Sequence, residues 1–234
     1  MARLIYGIRW LKRLFATTTL STMKRIILTS LGVLLCCLLA TAAWYYSKVK
    51  RKTHHTVTEV SSNTLLTRLN LHAKPLLTYA QKHGYNTSTC FLVDMRIESG
   101  KNRFFVYDLK NNTVLDAGLV THGRCNKDWL NGRQYGNGVG CGCTSLGKYK
   151  VGNRYQGKFG LAYKLHGLDS TNSNAFKRFV VLHSHSCVPN GEVDPLPICQ
   201  SDGCPTVSGA FLKKLATIID QSKQPMLLYT FDNN

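Results

Sequence analysis

Ser201-Asp202-Gly203-Cys204-Pro205 follows Phe179-Val180-Val181-Leu182-His183-Ser184 by a single loop, and the two segments hold the parts of a thiol nucleophile and its base. A cysteine attacks as its thiolate, which a neighbouring imidazole and the amides of a turn or helix start favour. The apolar run reads as a buried strand that delivers His183 at its end, and a small-residue turn presents Cys204 just before a helix. Gly203 leaves room for a substrate carbonyl against the backbone, where N–H groups can hold an oxyanion. Two further histidines compete with His183 for the base: His185, on the same face if the strand continues, and His122, in a His-Gly pair.

Six more cysteines lie in the same part of the chain: Cys90, Cys125, Cys141, Cys143, Cys187 and Cys199. An even number beside one nucleophile reads as disulfides in an exported domain. Cys187 and Cys199 flank the loop between His183 and Cys204, so a bridge between them would staple that loop. Cys141 and Cys143 are too close to pair easily, and each is expected to find a distant partner such as Cys125 or Cys90. The rival is a zinc site of Cys141-x-Cys143 with His183-x-His185, or with Cys199 and Cys204.

The elements that must position these residues are mostly strands. Cys90 to Asp94, Arg103 to Asp108 and Val114 to Val120 alternate and run as strands do, with Asn111-Asn112 as a turn. Residues 131–167 are rich in glycine and aromatics, as twisted β structure with tight turns requires. A brief helix is expected over 172–177, an amphipathic helix over 210–222 and a last strand over 226–231. Leu65, Leu69, Leu76 and Ala80 recur at helical spacing, and Pro75 is expected to divide this stretch into two helices as the first residue of the second. The expected class is mainly β (α+β) with a few helices.

Upstream, residues 26–46 contain no charge, about the ~20 residues a helix needs to cross the hydrocarbon core. Trp44-Tyr45-Tyr46 form an interfacial aromatic cluster, and Ala40-Thr41-Ala42 has the small-x-small form of a signal-peptidase site, so the span is either a retained anchor or a cleaved signal. Met23-Lys24-Arg25 followed by the apolar core is itself a compact signal, so Met23 is a candidate start. Six Lys or Arg residues precede the span and four follow closely, which favours a cytoplasmic N-terminus and an exported C-terminal domain. The predicted layout is a basic segment at 1–25, a transmembrane or signal segment at 26–47, a polar linker at 48–63 and a catalytic domain at 64–234 that opens with helices at 64–83.

The chain has 234 residues and a net charge of +18. Ten of its thirty Lys and Arg residues fall in the first 52 positions, which hold no Asp or Glu, so 20 basic against 12 acidic residues leave the remainder at +8. Much of the basicity is therefore topological, and the rest suits anionic headgroups or a carboxylate-rich polymer. No basic helix, zinc-finger spacing or aromatic RNA-binding motif accompanies it, which argues against nucleic acid as a partner.

The chemistry-bearing segments also carry a family resemblance. Val93-Asp94, Arg103-Phe104-Phe105-Val106-Tyr107-Asp108, Val120-Thr121-His122-Gly123-Arg124, Ser145-Leu146-Gly147-Lys148-Tyr149, Tyr155-Gln156-Gly157-Lys158-Phe159-Gly160, Leu165-His166-Gly167-Leu168, Arg178, His183 and the turn at 201–205 occur in consistent order over about 150 residues. In that order the chain resembles the catalytic domain of murein L,D-transpeptidases, in a second YkuD-type branch.

The resemblance implies a YkuD-like β-sandwich or barrel and a cysteine acyl transferase of the cell envelope, on the periplasmic side, acting on peptidoglycan stems without a cofactor or metal. Cys204 would attack the carbonyl before the terminal D-alanine of a tetrapeptide stem. An amine of a second stem would then resolve the thioester to a 3-3 cross-link, or water would hydrolyse it in an L,D-carboxypeptidase reaction. His183, at the strand-end position of the motif, would be the base, with Ser184 or a backbone carbonyl orienting it. Gly203 and Cys204 N–H groups would form the oxyanion hole, and Ser201 would brace the turn. Stem carboxylates would fall to Arg124, Arg133, Lys158 or Arg178, with Asp202 and His185 also facing substrate. Two departures stand out: Asp202 replaces the His or large aromatic of many relatives, and no Arg closely follows Cys204. Asp202 motivates one alternative, a membrane-tethered peptidoglycan-binding protein without turnover, and the cysteine cluster another, a zinc or redox module.

Overall fold

The computed structural model describes the backbone of residues 2–232 and the side chains of residues 25–45 and 63–232. Two compact units divide at Ser62, Met1–Ser62 and Asn63–Asn234. The long helix α1 (Ala2–His83) contributes to both.

Within the first unit, Arg25–Tyr45 has a mean hydropathy of 2.4 and every described side chain there is exposed, so by length and composition this segment can cross a membrane. The side chains of the flanking Arg3, Arg9, Lys12, Arg13, Lys24, Tyr46, Lys48, Lys50, Arg51 and Lys52, on which the topology argument rests, lie outside the described residues, as do those of Met23 and of the stretch expected as a linker up to Ser62.

The second unit is built on one mixed eight-stranded sheet in the order β3-β2-β1-β8-β4-β5-β6-β7. Its strands are β1 (Thr89–Asp94), β2 (Phe104–Asp108), β3 (Thr113–Gly118), β4 (Gly147–Gly157), β5 (Gly160–Gly167), β6 (Val181–Ser184), β7 (Thr206–Val207) and β8 (Leu227–Phe231). β1–β8 and β6–β7 pair in parallel and the other neighbours antiparallel. The architecture is mainly β with few helices, as expected.

Side-chain alternation divides the core into two layers. Phe91 and Val93 of β1 pack with Phe104, Val106, Leu228 and the buried face of α2 (Gly209–Gln221), where Phe211, Leu212 and Leu215 recur at helical spacing. Cys90 and Leu92 face the other way, against Leu69, Ala73, Leu76 and Ala80 of α1. Both faces are therefore covered, which is why Cys90-Phe91-Leu92-Val93 is continuously apolar. Ser208 caps α2, its hydroxyl accepting the Phe211 N–H at 3.2 Å.

Three local expectations are corrected. Pro75 does not divide its segment; it lies inside α1. A proline frees the carbonyl four residues earlier, here that of exposed Leu71, while the buried Leu69-Ala73-Leu76-Ala80 stripe continues across it. The helix expected over 172–177 is a short 3-10 turn at Ser170–Asn172 followed by irregular turns. Cys204 also does not directly precede a helix, because β7 intervenes before α2.

Candidate active site

Strand register brings the nucleophile and base candidates together. His183 pairs with Ala162 of β5 on one side and with Thr206 of β7 on the other, and Thr206 is two residues after Cys204. Phe179 precedes β6 with φ of 57° and its ring exposed, so the strand begins later than the apolar run suggests. The turn from Ser201 to Cys204 is tied to the segment before it by a Gly123–Ser201 bridge and by Ser201 N–H donating to the His122 carbonyl at 2.9 Å. Ser201 Oγ donates to the Cys204 carbonyl at 2.7 Å and accepts the Gly203 N–H at 3.2 Å. In this resting arrangement one of the two amides expected in the oxyanion hole is occupied by Ser201.

A cleft of about 530 Å³ is lined by Cys204, His183, His185, Ser201, Asp202, Arg124 and Arg178 among others. Gly203 and Ser184 do not line it; they meet its residues through backbone, the Gly203 N–H donating to Ser201 Oγ and the Ser184 carbonyl lying against His183 Nδ1. His183 is 8% exposed. Its Nδ1 lies 3.1 Å from the Ser184 carbonyl. A carbonyl only accepts, so neutral His183 carries its proton on Nδ1 and presents the Nε2 lone pair, 3.0 Å from Thr206 Oγ1. The orienting group is thus the Ser184 main chain rather than its hydroxyl. Thr206 escaped the sequence argument, and only the parallel β6–β7 register exposes it.

The half-buried Cys204 thiol lies 3.8 Å from the Phe179 carbonyl. Burial raises its pKa, and Asp202 adds to that, while the Val181 backbone and the Arg178 charge oppose it by less. His183 is lowered, first by burial and then by His185, against the opposing effect of the Ser184 carbonyl. Both directions favour a neutral thiol beside a neutral imidazole over a preformed ion pair. Alkylation of Cys204 by iodoacetamide is accordingly expected to accelerate about tenfold per pH unit from pH 7 to 9 without a plateau. An inflection at or below pH 7 would contradict this.

The remaining expected residues fall into four placements. Arg124 Nε meets Asp202 Oδ1 at 2.8 Å in an exposed ion pair on the cleft wall, so the carboxylate expected to oppose the thiolate faces a guanidinium. Arg178 donates to the Gly136 carbonyl at 3.0 Å, to the Cys143 carbonyl and to Ser145 Oγ, so its fork supports the wall behind the Cys204 turn. His185 is exposed, and its Nδ1 accepts the Cys187 N–H. The Phe159 ring, at the tip of the β4–β5 hairpin, stacks on His183 at 5.2 Å and meets His185 edge-on. Arg133 and His122 lie elsewhere, against a second cavity.

Cys187–Cys199 forms a disulfide, the bridge expected to staple the loop over the cleft. Cys143 pairs with Cys125, whereas Cys141 and Cys90 are free, so a third bridge is not made. Cys90 is sealed inside β1 against α1, out of reach of a partner. The zinc alternative loses Cys143 and Cys199 to disulfides, and among the described residues no group of three or more His, Cys, Asp or Glu could hold a metal ion.

The family model for the L,D-transpeptidase catalytic domain, YkuD_2, matches residues 62–231. The chain belongs to that family. Similar solved structures include the Ldtfm-avibactam carbamoyl enzyme (14% identity, TM-score 0.40, 63% of this chain and 50% of that one). Others are an L,D-transpeptidase from Xylanimonas cellulosilytica (15%, 0.35, 66% and 68%) and the helical cell shape determining protein Pgp2 from Campylobacter jejuni (13%, 0.37, 63% and 48%). The present chain spans about half the length of the first of these. No curated protein sequence matches it. In this YkuD_2 chain the cation beside the cysteine comes from Arg178, in the loop before β6, rather than from an arginine closely following Cys204.

Proposed function

We propose that this chain is a cell-envelope L,D-transpeptidase in which Cys204 is the nucleophile, with L,D-carboxypeptidase activity when water is the acceptor. The observation that carries this is the His183 geometry: Nδ1 anchored by the Ser184 carbonyl and Nε2 unprotonated in a cleft that also holds Cys204. His183, its Nε2 released from the Thr206 hydroxyl, removes the thiol proton as Sγ attacks the carbonyl before the terminal D-alanine of a tetrapeptide stem. The oxyanion is met by Cys204 N–H, with Gly203 N–H joining if it turns from Ser201. His183 returns the proton to the departing D-alanine, and an amine of a second stem, or water, resolves the thioester to a 3-3 cross-link or a tripeptide.

Within this proposal residues 1–25 form a basic segment, 26–47 an anchor or signal, 48–63 a linker, and 64–234 the catalytic domain on the outer side of the inner membrane. Arg124 and Asp202, paired across the cleft wall, face the stem charges together with His185. Arg178 serves the reaction from behind the turn.

The test is to incubate the full chain in detergent micelles with tetrapeptide muropeptides and examine the products by mass spectrometry. Loss of D-alanine, or dimer formation, is expected. Intact stems that nevertheless bind would overturn the enzyme assignment and favour a non-catalytic peptidoglycan-binding protein, the state to which a raised Cys204 pKa and a nearby Asp202 also incline.

A further inference from the structure

A second cavity, about 170 Å³, lies beside the catalytic cleft and is lined by Arg103, His122 and Arg133. Arg103 is 1% exposed. A guanidinium so deeply buried normally meets a carboxylate, yet among the described residues none lies within ion-pair distance of Arg103. Four of its five N–H donors go to neutral acceptors: Nε and Nη2 to the Val120 carbonyl at 2.9 and 2.8 Å, Nη1 to the Ile97 carbonyl at 3.2 Å, and Nη2 to His122 Nδ1 at 3.2 Å.

That last bond fixes the imidazole. Arginine only donates, so His122 Nδ1 accepts and neutral His122 carries its proton on Nε2. Nε2 is buried and has no hydrogen-bond partner, and His122 as a whole is 8% exposed. His122 is lowered to about 4, by burial first and then by the Arg103 and Arg133 charges, so it stands neutral between two guanidiniums. The facing carboxylates offset their charge only in part. Glu98 is exposed at the rim, Asp94 pairs with Arg68, and Asp232, which accepts the Tyr135 hydroxyl, forms a long 3.8 Å ion pair with Arg133 Nη1, a group that also donates to the Met95 carbonyl, so Arg103 is left without a carboxylate of its own.

We propose that this cavity is an oxyanion-binding site, which takes a carboxylate or phosphate group between His122 Nε2–H and the Arg103 and Arg133 guanidiniums. An ion there would satisfy the orphaned Nε2–H and give Arg103 the counter-charge it lacks. The site adjoins the chemistry: Trp129 and Gln200 line both cavities, and the carbonyl of His122 receives the Ser201 N–H of the cysteine turn. The ligand's two sources are a carboxylate of the peptidoglycan stem, which rests on the function proposed above, and a free ion, which does not.

The experiment is a titration of ¹⁵N-histidine-labelled full chain in detergent micelles with sodium acetate and then inorganic phosphate, ionic strength being held with chloride. The His122 resonance is identified by its absence in His122→Gln. A saturable shift is expected, with His122 titrating at higher pH when the ion is bound. Arg133→Gln is expected to weaken the ion about tenfold and Arg133→Lys, which keeps the charge but not the fork, by less. Absence of a saturable shift, or unchanged affinity in both variants, would overturn the site. Adding tetrapeptide muropeptide to Cys204→Ala chain separates the sources: movement of His122 assigns the ion to the stem, and movement with acetate or phosphate alone assigns it to a free ion. D-alanine release, measured separately, keeps the two proposals apart, since turnover without a His122 shift defeats only this one.

Discussion

Cys204→Ala is expected to abolish D-alanine release and dimer formation from tetrapeptide muropeptides, a loss of about 10⁴-fold or more, because no other described thiol lines the cleft unbridged. The substitution removes a half-buried sulfur and leaves the turn intact, since Ser201 holds the Cys204 carbonyl and the Gly203 N–H through backbone groups that alanine retains. Lost turnover with an unchanged thermal midpoint is therefore the expected pair of readings. Residual product above about 1% of wild type would show that Sγ is not the attacking atom. His183→Ala in the same assay is expected to cost about 10²- to 10⁴-fold. The pH profile adds a sign. His183 must be neutral to accept the proton, and its pKa lies below the ordinary histidine value. The kcat/KM of the wild type should then rise with pH through an inflection below about 6.5, and that inflection should vanish in His183→Ala.

The candidates proposed as nucleophile and base could be nominated from sequence because each sits at the end of a segment whose pattern is local, an apolar run ending in His183 and a glycine turn before Cys204, and the fold brings both to one cleft. The Cys187–Cys199 bridge was legible for the same reason, since both residues close one short loop. Thr206 was not. Its hydroxyl reaches His183 only because β6 and β7 pair in parallel across a long connection, and register between distant strands leaves no mark in local spacing. Cys125 was among the partners expected for Cys141 or Cys143, and the choice of Cys143 depends on the fold, the Cys125 N–H donating to the Gly142 carbonyl at 3.0 Å. Arg103 shows the limit from the other side. In sequence it is the first residue of the strand expected over 103–108, with nothing in that pattern to mark a buried guanidinium, yet its side chain is among the most buried in the domain. Pro75 misled because propensity describes an isolated helix, whereas the α1 stripe is held by the sheet on which it packs.

Gly203→Ala carries the largest effect expected without touching a reacting atom. Gly203 has φ of +104°, a conformation that side chains rarely adopt, and the strain of forcing alanine there is about 1–3 kcal/mol. Space is denied as well. A Cβ at Gly203 would stand 2.5 Å from the Cys143 carbonyl oxygen and 3.0 Å from Arg178 Nη2. Neither neighbour can retreat easily: Cys143 is fixed by its bridge to Cys125, and the Arg178 fork holds the Gly136 and Cys143 carbonyls. Overpacking of this kind adds about 1–3 kcal/mol. The turn must therefore shift, carrying Cys204 away from His183 and its N–H from the place where the oxyanion forms. A displacement of about 1 Å suffices for a 10²-fold loss of rate. The expected outcome is a lowered thermal midpoint together with a fall of at least that size in kcat, while Cys204 becomes more open to iodoacetamide as the turn loosens. Pro205→Ala, one residue beyond the cysteine, introduces no positive φ and serves as the control. If Gly203→Ala kept the wild-type rate and midpoint, the turn would not have the conformation that aims Cys204.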